Sequence, residues 1–144
     1  MDPLARFGQY AAAFEDFFES DDPATLEPFF SEDAVYEVAG GEPLAGRHEG
    51  RQAVIAHLKA SLDGFDRRFG SRELLLIAGP ALRDGAVWLS WRASYKTPGL
   101  PELAIDGEEF VHFEGDRISL LEDRFRPETS ALMKQWFDHY GDQL

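Results

Sequence analysis

The sequence contains no cysteine, which removes disulfides, thiolate nucleophiles and cysteine-ligated zinc together. Cations are scarce as well: 14 Lys and Arg stand against 27 Asp and Glu, a net charge of −13. No run of Lys and Arg exceeds two residues. Counterion release from a polyanion needs clustered cations, so neither nucleic acid nor an anionic membrane surface is expected as a partner. The longest uncharged stretch runs only from Leu74 to Leu82, far short of the roughly 20 apolar residues that a bilayer span requires. The opening MDPLARFGQY lacks the basic-then-apolar design of a secretory leader. His48, His57, His112 and His139 follow no HxH or HExxH spacing, so no metal site is expected. GxGxxG, a Walker lysine loop and a GxSxG elbow are all missing, and the expectation is a cofactor-free, cytoplasmic chain.

What is present is core material. The 144 residues are 44% hydrophobic and 13% aromatic, enough apolar matter for one folded domain over 1–144 and too much for a disordered tail. Leu4, Phe7, Ala11, Phe14 and Phe18 recur at helical spacing, with Asp2 placed to cap the helix and Pro3 suited to its first position. Asp22–Pro23 repeats that signal for a second helix, 24–30. A short strand over 33–38 follows, ended by Gly40–Gly41, then a Gly- and Pro-rich loop and a helix over 52–62.

From Asp66 onward the grammar is that of strands. Residues 72–78 contain the apolar run Leu-Leu-Leu-Ile, and Asp84–Gly85 marks a hairpin turn. Residues 86–96 alternate, with Val87, Leu89, Trp91, Ala93 and Tyr95 on one face and Ser90, Arg92 and Ser94 on the other. Residues 105–114 and 117–125 form another hairpin about Gly115–Asp116, and 127–140 reads as a closing helix with Leu132, Trp136 and Tyr140 on one stripe. Helices, then a meander of antiparallel strands, then a helix argue an α+β fold: a curved antiparallel sheet wrapped around N-terminal helices.

That order, with Phe30-Ser31-Glu32-Asp33-Ala34, Gly46-Arg47-His48-Glu49-Gly50-Arg51 and Phe113-Glu114-Gly115-Asp116-Arg117-Ile118, resembles the cone-shaped NTF2-like superfamily and its SnoaL-like group over nearly the whole chain. The superfamily holds isomerases, cyclases, dehydratases, epoxide hydrolases and non-enzymatic binders, so the fold alone does not fix the function. Resemblance to limonene-epoxide hydrolases matches Asp123 and Tyr36, but Val38, Trp91 and Ala93 stand where that family carries Asn, Arg and Asp; a shift by one recovers Arg92 and puts Ser94 at the aspartate. Ketosteroid isomerases are similar around 33–37. There Glu109 falls on their second acid, Val38 on their base (or Glu37 if the loop takes a gap), and Phe14 on their oxyanion-hole tyrosine. SnoaL-type polyketide cyclases imply chiefly an acid/base aspartate in a hydrophobic cavity, a part that Asp123 fits.

Strand alternation then supplies a candidate site. Asp123 is the expected general acid or base, with Tyr36, Glu109 and His48 as its candidate companions. The expected apolar wall is Phe14, Val38, Val87, Leu89, Trp91, Tyr95, Val111, Phe113, Leu121 and Phe125. The function expected is binding of a small hydrophobic molecule, with proton-transfer chemistry such as cyclisation, isomerisation or dehydration. The alternative is a non-catalytic binding or dimeric interaction module. A homodimer through the sheet is expected, because Phe110, Ile118 and Leu120 would otherwise expose apolar surface.

Overall fold

The Asp2 carboxylate accepts the Leu4 N–H at 3.1 Å, and Pro3 sits in the first turn, where no N–H is needed. The helix so started, α1, spans Pro3–Ser20 and stops where Asp21 turns left-handed at φ 56°. The computed structural model describes residues 2–40 and 45–144. After α1 come β1 (Phe30–Ala39), β2 (Gly46–Glu49), α2 (Arg51–Gly64), β3 (Ser71–Arg83), β4 (Ala86–Lys96), β5 (Leu103–Glu114), β6 (Arg117–Phe125) and α3 (Pro127–Tyr140).

Three expectations change. Residues 24–30 do not form an α-helix but two 3-10 turns, Pro23–Thr25 and Glu27–Phe29. Asp22 does cap the first, accepting Ala24 N–H at 3.0 Å, yet Pro28 has no N–H with which an α-helical ladder could continue. The Gly-rich stretch expected as loop contains β2, antiparallel to β1 with Val35 opposite Glu49 and Val38 opposite Gly46. Of the Gly40–Gly41 pair, Gly40 leaves the strand at φ 73°, and Gly41 lies outside the described residues.

The third change is the sheet itself. Its order is β2-β1-β6-β5-β4-β3, and β1 runs parallel to β6, with Tyr36 opposite Leu121 and Val38 opposite Asp123. The sheet is therefore mixed and open. Hairpins dictate antiparallel pairing only for the consecutive strands β3 to β6, whereas β1 reaches β6 through the whole intervening chain and is free to lie either way. At the β3–β4 hairpin, Asp84 and Gly85 both take positive φ (51° and 81°), as the favoured two-residue turn demands.

One core cluster packs α1 and α2 onto β1, β4, β5 and β6, with Phe17, Leu26, Phe30, Val54, Val87, Val111 and Ile118 fully buried. A second joins Met133 and Trp136 of α3 to Phe65, Phe69, Tyr95, Leu103 and Ile105. On α1 the buried line is Phe7, Tyr10, Ala13 and Phe17, one step round from the expected stripe, with Leu4, Phe14 and Phe18 as flanks and Ala11 exposed. On α3, Met133 enters the core in place of Leu132.

Candidate active site

The two-residue period of β4 turns Leu89, Trp91, Ala93 and Tyr95 toward the helices. The same face carries Glu109 on β5, Leu121, Asp123 and Phe125 on β6, and Tyr36 and Val38 on β1. Phe7, Tyr10 and Phe14 of α1 and His57, Leu58 and Leu62 of α2 close the other side. The cavity between them has a volume of about 350 Å³. Trp91 lies over Gly107, where a Cβ would stand 2.6 Å from its Cζ2. Its ring meets Phe125 edge-on at 5.5 Å and 89°.

Two acids interrupt this apolar wall. Glu109 and Asp123 are directly opposed across β5 and β6. Tyr36 Oη donates a short hydrogen bond to Asp123 Oδ2, and Asp123 Oδ1 is buried, with the facing Glu109 carboxyl as the other hydrogen-bonding group at this carboxylate. Burial, then the Asp123 charge beside it, pushes the Glu109 carboxyl well above the usual range. Burial also raises Asp123, but hydrogen bonds from Glu109 and Tyr36 pull it back. The surroundings thus favour a proton on Glu109 over one on Asp123. Burial chiefly, then Asp123, holds the Tyr36 phenol protonated. Tyr10 is raised by burial, then by Glu109 and Asp123, which puts its hydroxyl in the field of both acids.

A second polar group lies farther along. Tyr95 lies six steps along β4 from Leu89, which is opposite Glu109, roughly 20 Å of strand. There Tyr95 Oη donates to Asp66 Oδ2 at 3.1 Å, and Arg72 Nε stands 3.0 Å from the same oxygen. Burial pushes Asp66 up against the opposing pull of Arg72.

Of the expected residues, the cavity brings together Asp123, Tyr36, Glu109, Phe14, Val38, Leu89, Trp91, Tyr95, Leu121 and Phe125. Val87, Val111 and Phe113 are placed differently. Val87 and Val111 oppose each other at the filled end of the sheet and are completely buried, and Phe113 packs onto the same cluster. His48, expected at the mouth, lies on β2 and stacks on His57 at 3.7 Å. His57 is the histidine that reaches the cavity, and burial followed by the His48 charge lowers its pKa. Tyr10, His57, Asp66 and Arg72 were not anticipated. Tyr10 lies one turn before Phe14, and the spacing of Tyr10, Phe14 and Phe17 would have shown it.

A larger hollow of about 690 Å³ lies between α2 and α3 and shares His57 and Ser61 with the first. Its charges are already engaged, Lys134 with Asp138 at 2.7 Å and Arg68 with the Gly141 carbonyl at 3.4 Å. The chemistry thus points to the smaller cavity. Among the described residues no three His, Cys, Asp or Glu side chains converge to hold a metal, and no helix is long and apolar enough to cross a membrane.

An open mixed sheet laid over a long first helix, with paired acids in the hollow between them, defines an NTF2-like fold. Residues 11–121 match the SnoaL-like domain, and the chain belongs to that family. Solved structures agree on the fold. Bal32a from a soil-derived mobile gene cassette is 20% identical, covers 94% of this chain and 98% of its own, and has a TM-score of 0.68. TerC, co-crystallised with polyporic acid, is 12% identical over 92% and 98%, at a TM-score of 0.66. An NTF2-like protein from Burkholderia xenovorans LB400 is 17% identical over 89% and 95%, at 0.63. No curated protein matches the chain.

Proposed function

We propose that the cavity binds a small, mostly apolar molecule and moves a proton on it, with Asp123 as the general base. The observation that carries this reading is the setting of the Asp123 carboxylate: it lines the cavity opposite Glu109, Tyr36 Oη donates to its Oδ2, and its buried Oδ1 has no further donor among the described residues beyond the Glu109 carboxyl. A buried carboxylate with so few donors is a strong acceptor for a proton of a bound molecule. Asp123 would take a proton from the carbon beside a carbonyl. The developing enolate oxygen would be met by a neutral donor, the Glu109 carboxylic acid or the Tyr10 phenol. Return of the proton to another carbon completes an isomerisation; attack of the enolate on a second carbonyl completes a cyclisation. His48, stacked on His57, buttresses that ring and does not itself touch the bound molecule. That TerC was crystallised with polyporic acid supports a small-molecule occupant for this fold.

The test is deuterium exchange at C1 of 2-tetralone, a compact bicyclic ketone, followed by proton NMR in D2O. The native chain is expected to accelerate exchange over buffer. Asp123→Asn should lose that acceleration by about 10²- to 10⁴-fold, the usual worth of a positioned base, while a spectroscopic titration still shows 2-tetralone bound. Exchange at the buffer rate with the native chain, or an unimpaired Asp123→Asn, would overturn the proposal.

A further inference from the structure

The polar group at the far end of the cavity takes no part in the proton transfer. Asp66 opens the 3-10 turn Asp66–Arg68, and Arg72 stands on β3 directly opposite Tyr95 of β4. Arg72, Leu74 and Leu76 line the cavity from the same face of β3. Leu74 and Leu76 are each about half exposed, and at this end the hollow meets solvent. The exposed apolar surface of the sheet lies here and not on Ile118, which was expected at the surface and is fully buried.

Ion pairing alone does not account for the group. The Arg72 and Asp66 side chains are only 11% and 14% exposed, and a buried ion pair adds little stability over apolar residues of the same volume. A guanidinium carries five N–H donors. Arg72 Nε and the Tyr95 hydroxyl converge on one oxygen, Asp66 Oδ2, at 3.0 and 3.1 Å. Nη1 stands 3.6 Å from Glu15 Oε2, beyond hydrogen-bond reach. The cation rests over the Phe18 ring, 4.9 Å from its centre. Arg72 thus has donors to spare, and Asp66 has acceptor capacity beside them.

We infer that Asp66 and Arg72 form a second recognition point, for a hydroxyl group at the far end of an elongated apolar ketone, which rests on the small-molecule reading of the cavity but not on the proton transfer. The hydroxyl oxygen accepts from Arg72 while its proton goes to Asp66; a carbonyl or an ether could satisfy only the first. An anionic end is disfavoured, because Asp66 and Glu15 both flank the cation. The span follows from α1. Tyr10 lies in the field of Glu109 and Asp123, whereas Glu15 and Phe18 lie beside Arg72. Five to eight residues of helix separate them, roughly 8–12 Å. The two oxygens of 4-(4-hydroxyphenyl)cyclohexanone stand roughly 10 Å apart by ordinary bond lengths. With its hydroxyl at Arg72, its carbonyl reaches the acid pair.

Calorimetric titration of the native chain at pH 7 with this phenol, with 4-phenylcyclohexanone and with 4-(4-oxocyclohexyl)benzoate is the test. The phenol is expected to bind at least about tenfold more tightly than either analogue, the usual worth of a hydrogen bond to a charged group. In Arg72→Met its preference over 4-phenylcyclohexanone should fall to within about twofold, with a cooperative melt retained. If that variant does not fold, Arg72→Lys keeps the charge beside Asp66 and loses the planar fork, and should lose at least about threefold of the preference. The native comparison needs no variant. Equal affinities for the phenol and 4-phenylcyclohexanone, binding of neither, tighter binding of the benzoate, or a preference that survives in a folded Arg72 variant would overturn the inference. A hydroxyl preference without 2-tetralone exchange would remove the proton-transfer reading and leave this recognition point standing. Exchange of 2-tetralone without the preference would do the reverse.

Discussion

Two carboxyls facing each other in an apolar wall cannot both ionise cheaply, and at Glu109 and Asp123 that fact has a measurable consequence. The folded chain holds the Glu109 proton to higher pH than the unfolded chain does. Below the ordinary carboxylate range both states are protonated, and this contribution to stability is fully present. As pH rises toward the folded-state value the unfolded state releases the proton first, so the contribution is lost with rising pH. Glu109→Gln keeps the shape and a donor while removing the titration. It should therefore be more stable than the native chain at pH 8 and equal to it near pH 4. Urea midpoints at the two pH values check this. A stability difference that does not change between them would show that Glu109 is not the proton holder. At the same scale Tyr36→Phe strips Asp123 Oδ2 of its phenol donor and leaves that buried carboxylate to the Glu109 carboxyl alone. A cost of about 1–3 kcal/mol is expected, read as a lower urea midpoint at pH 7; an unchanged midpoint would mean the hydrogen bond does not support the fold.

At the scale of the element, β5 and β4 are fitted to each other through one missing side chain. Gly107 lets the Trp91 ring lie on the strand, since a Cβ there would stand 2.6 Å from Cζ2. Gly107→Ala must push that ring toward the cavity, at a cost of about 1–3 kcal/mol for overpacking, and should alter the near-UV dichroism of the indole. A native-like melt and an unchanged spectrum would mean the ring has other room. The alternation of β4 was legible in the sequence because a strand's period is a local property, and so were its hairpin turns, where Asp84–Gly85 needs positive φ at both residues. Depth was not legible. Val87 and Leu89 share a face, yet Val87 is sealed beside Val111 and Leu89 borders the cavity, because where packing ends depends on what α1 places opposite. The same nonlocality hid the parallel β1–β6 pair, and it hid Asp66 and Arg72, which meet Tyr95 only once the 3-10 turn Asp66–Arg68, β3 and β4 are assembled. Asp123, Tyr36 and Glu109 were reachable because each sits on a strand whose neighbours fixed its face.

For the whole molecule, the balance of charge sets the response to salt. The chain carries −13, and its like charges stand closer together on the folded surface than in the unfolded chain, so they oppose folding. Salt shortens the reach of that repulsion, from a Debye length of about 30 Å at 0.01 M to about 10 Å at 0.1 M. The exposed ion pairs, such as Arg47 with Glu49 at 2.9 Å and Lys134 with Asp138 at 2.7 Å, are each worth about 0–1 kcal/mol and are screened as well. The repulsion is expected to outweigh them, so the urea midpoint at pH 7 should rise between roughly 20 mM and 300 mM NaCl. A midpoint that falls as salt is added would show that the surface ion pairs, and not the net charge, dominate the electrostatics of the fold.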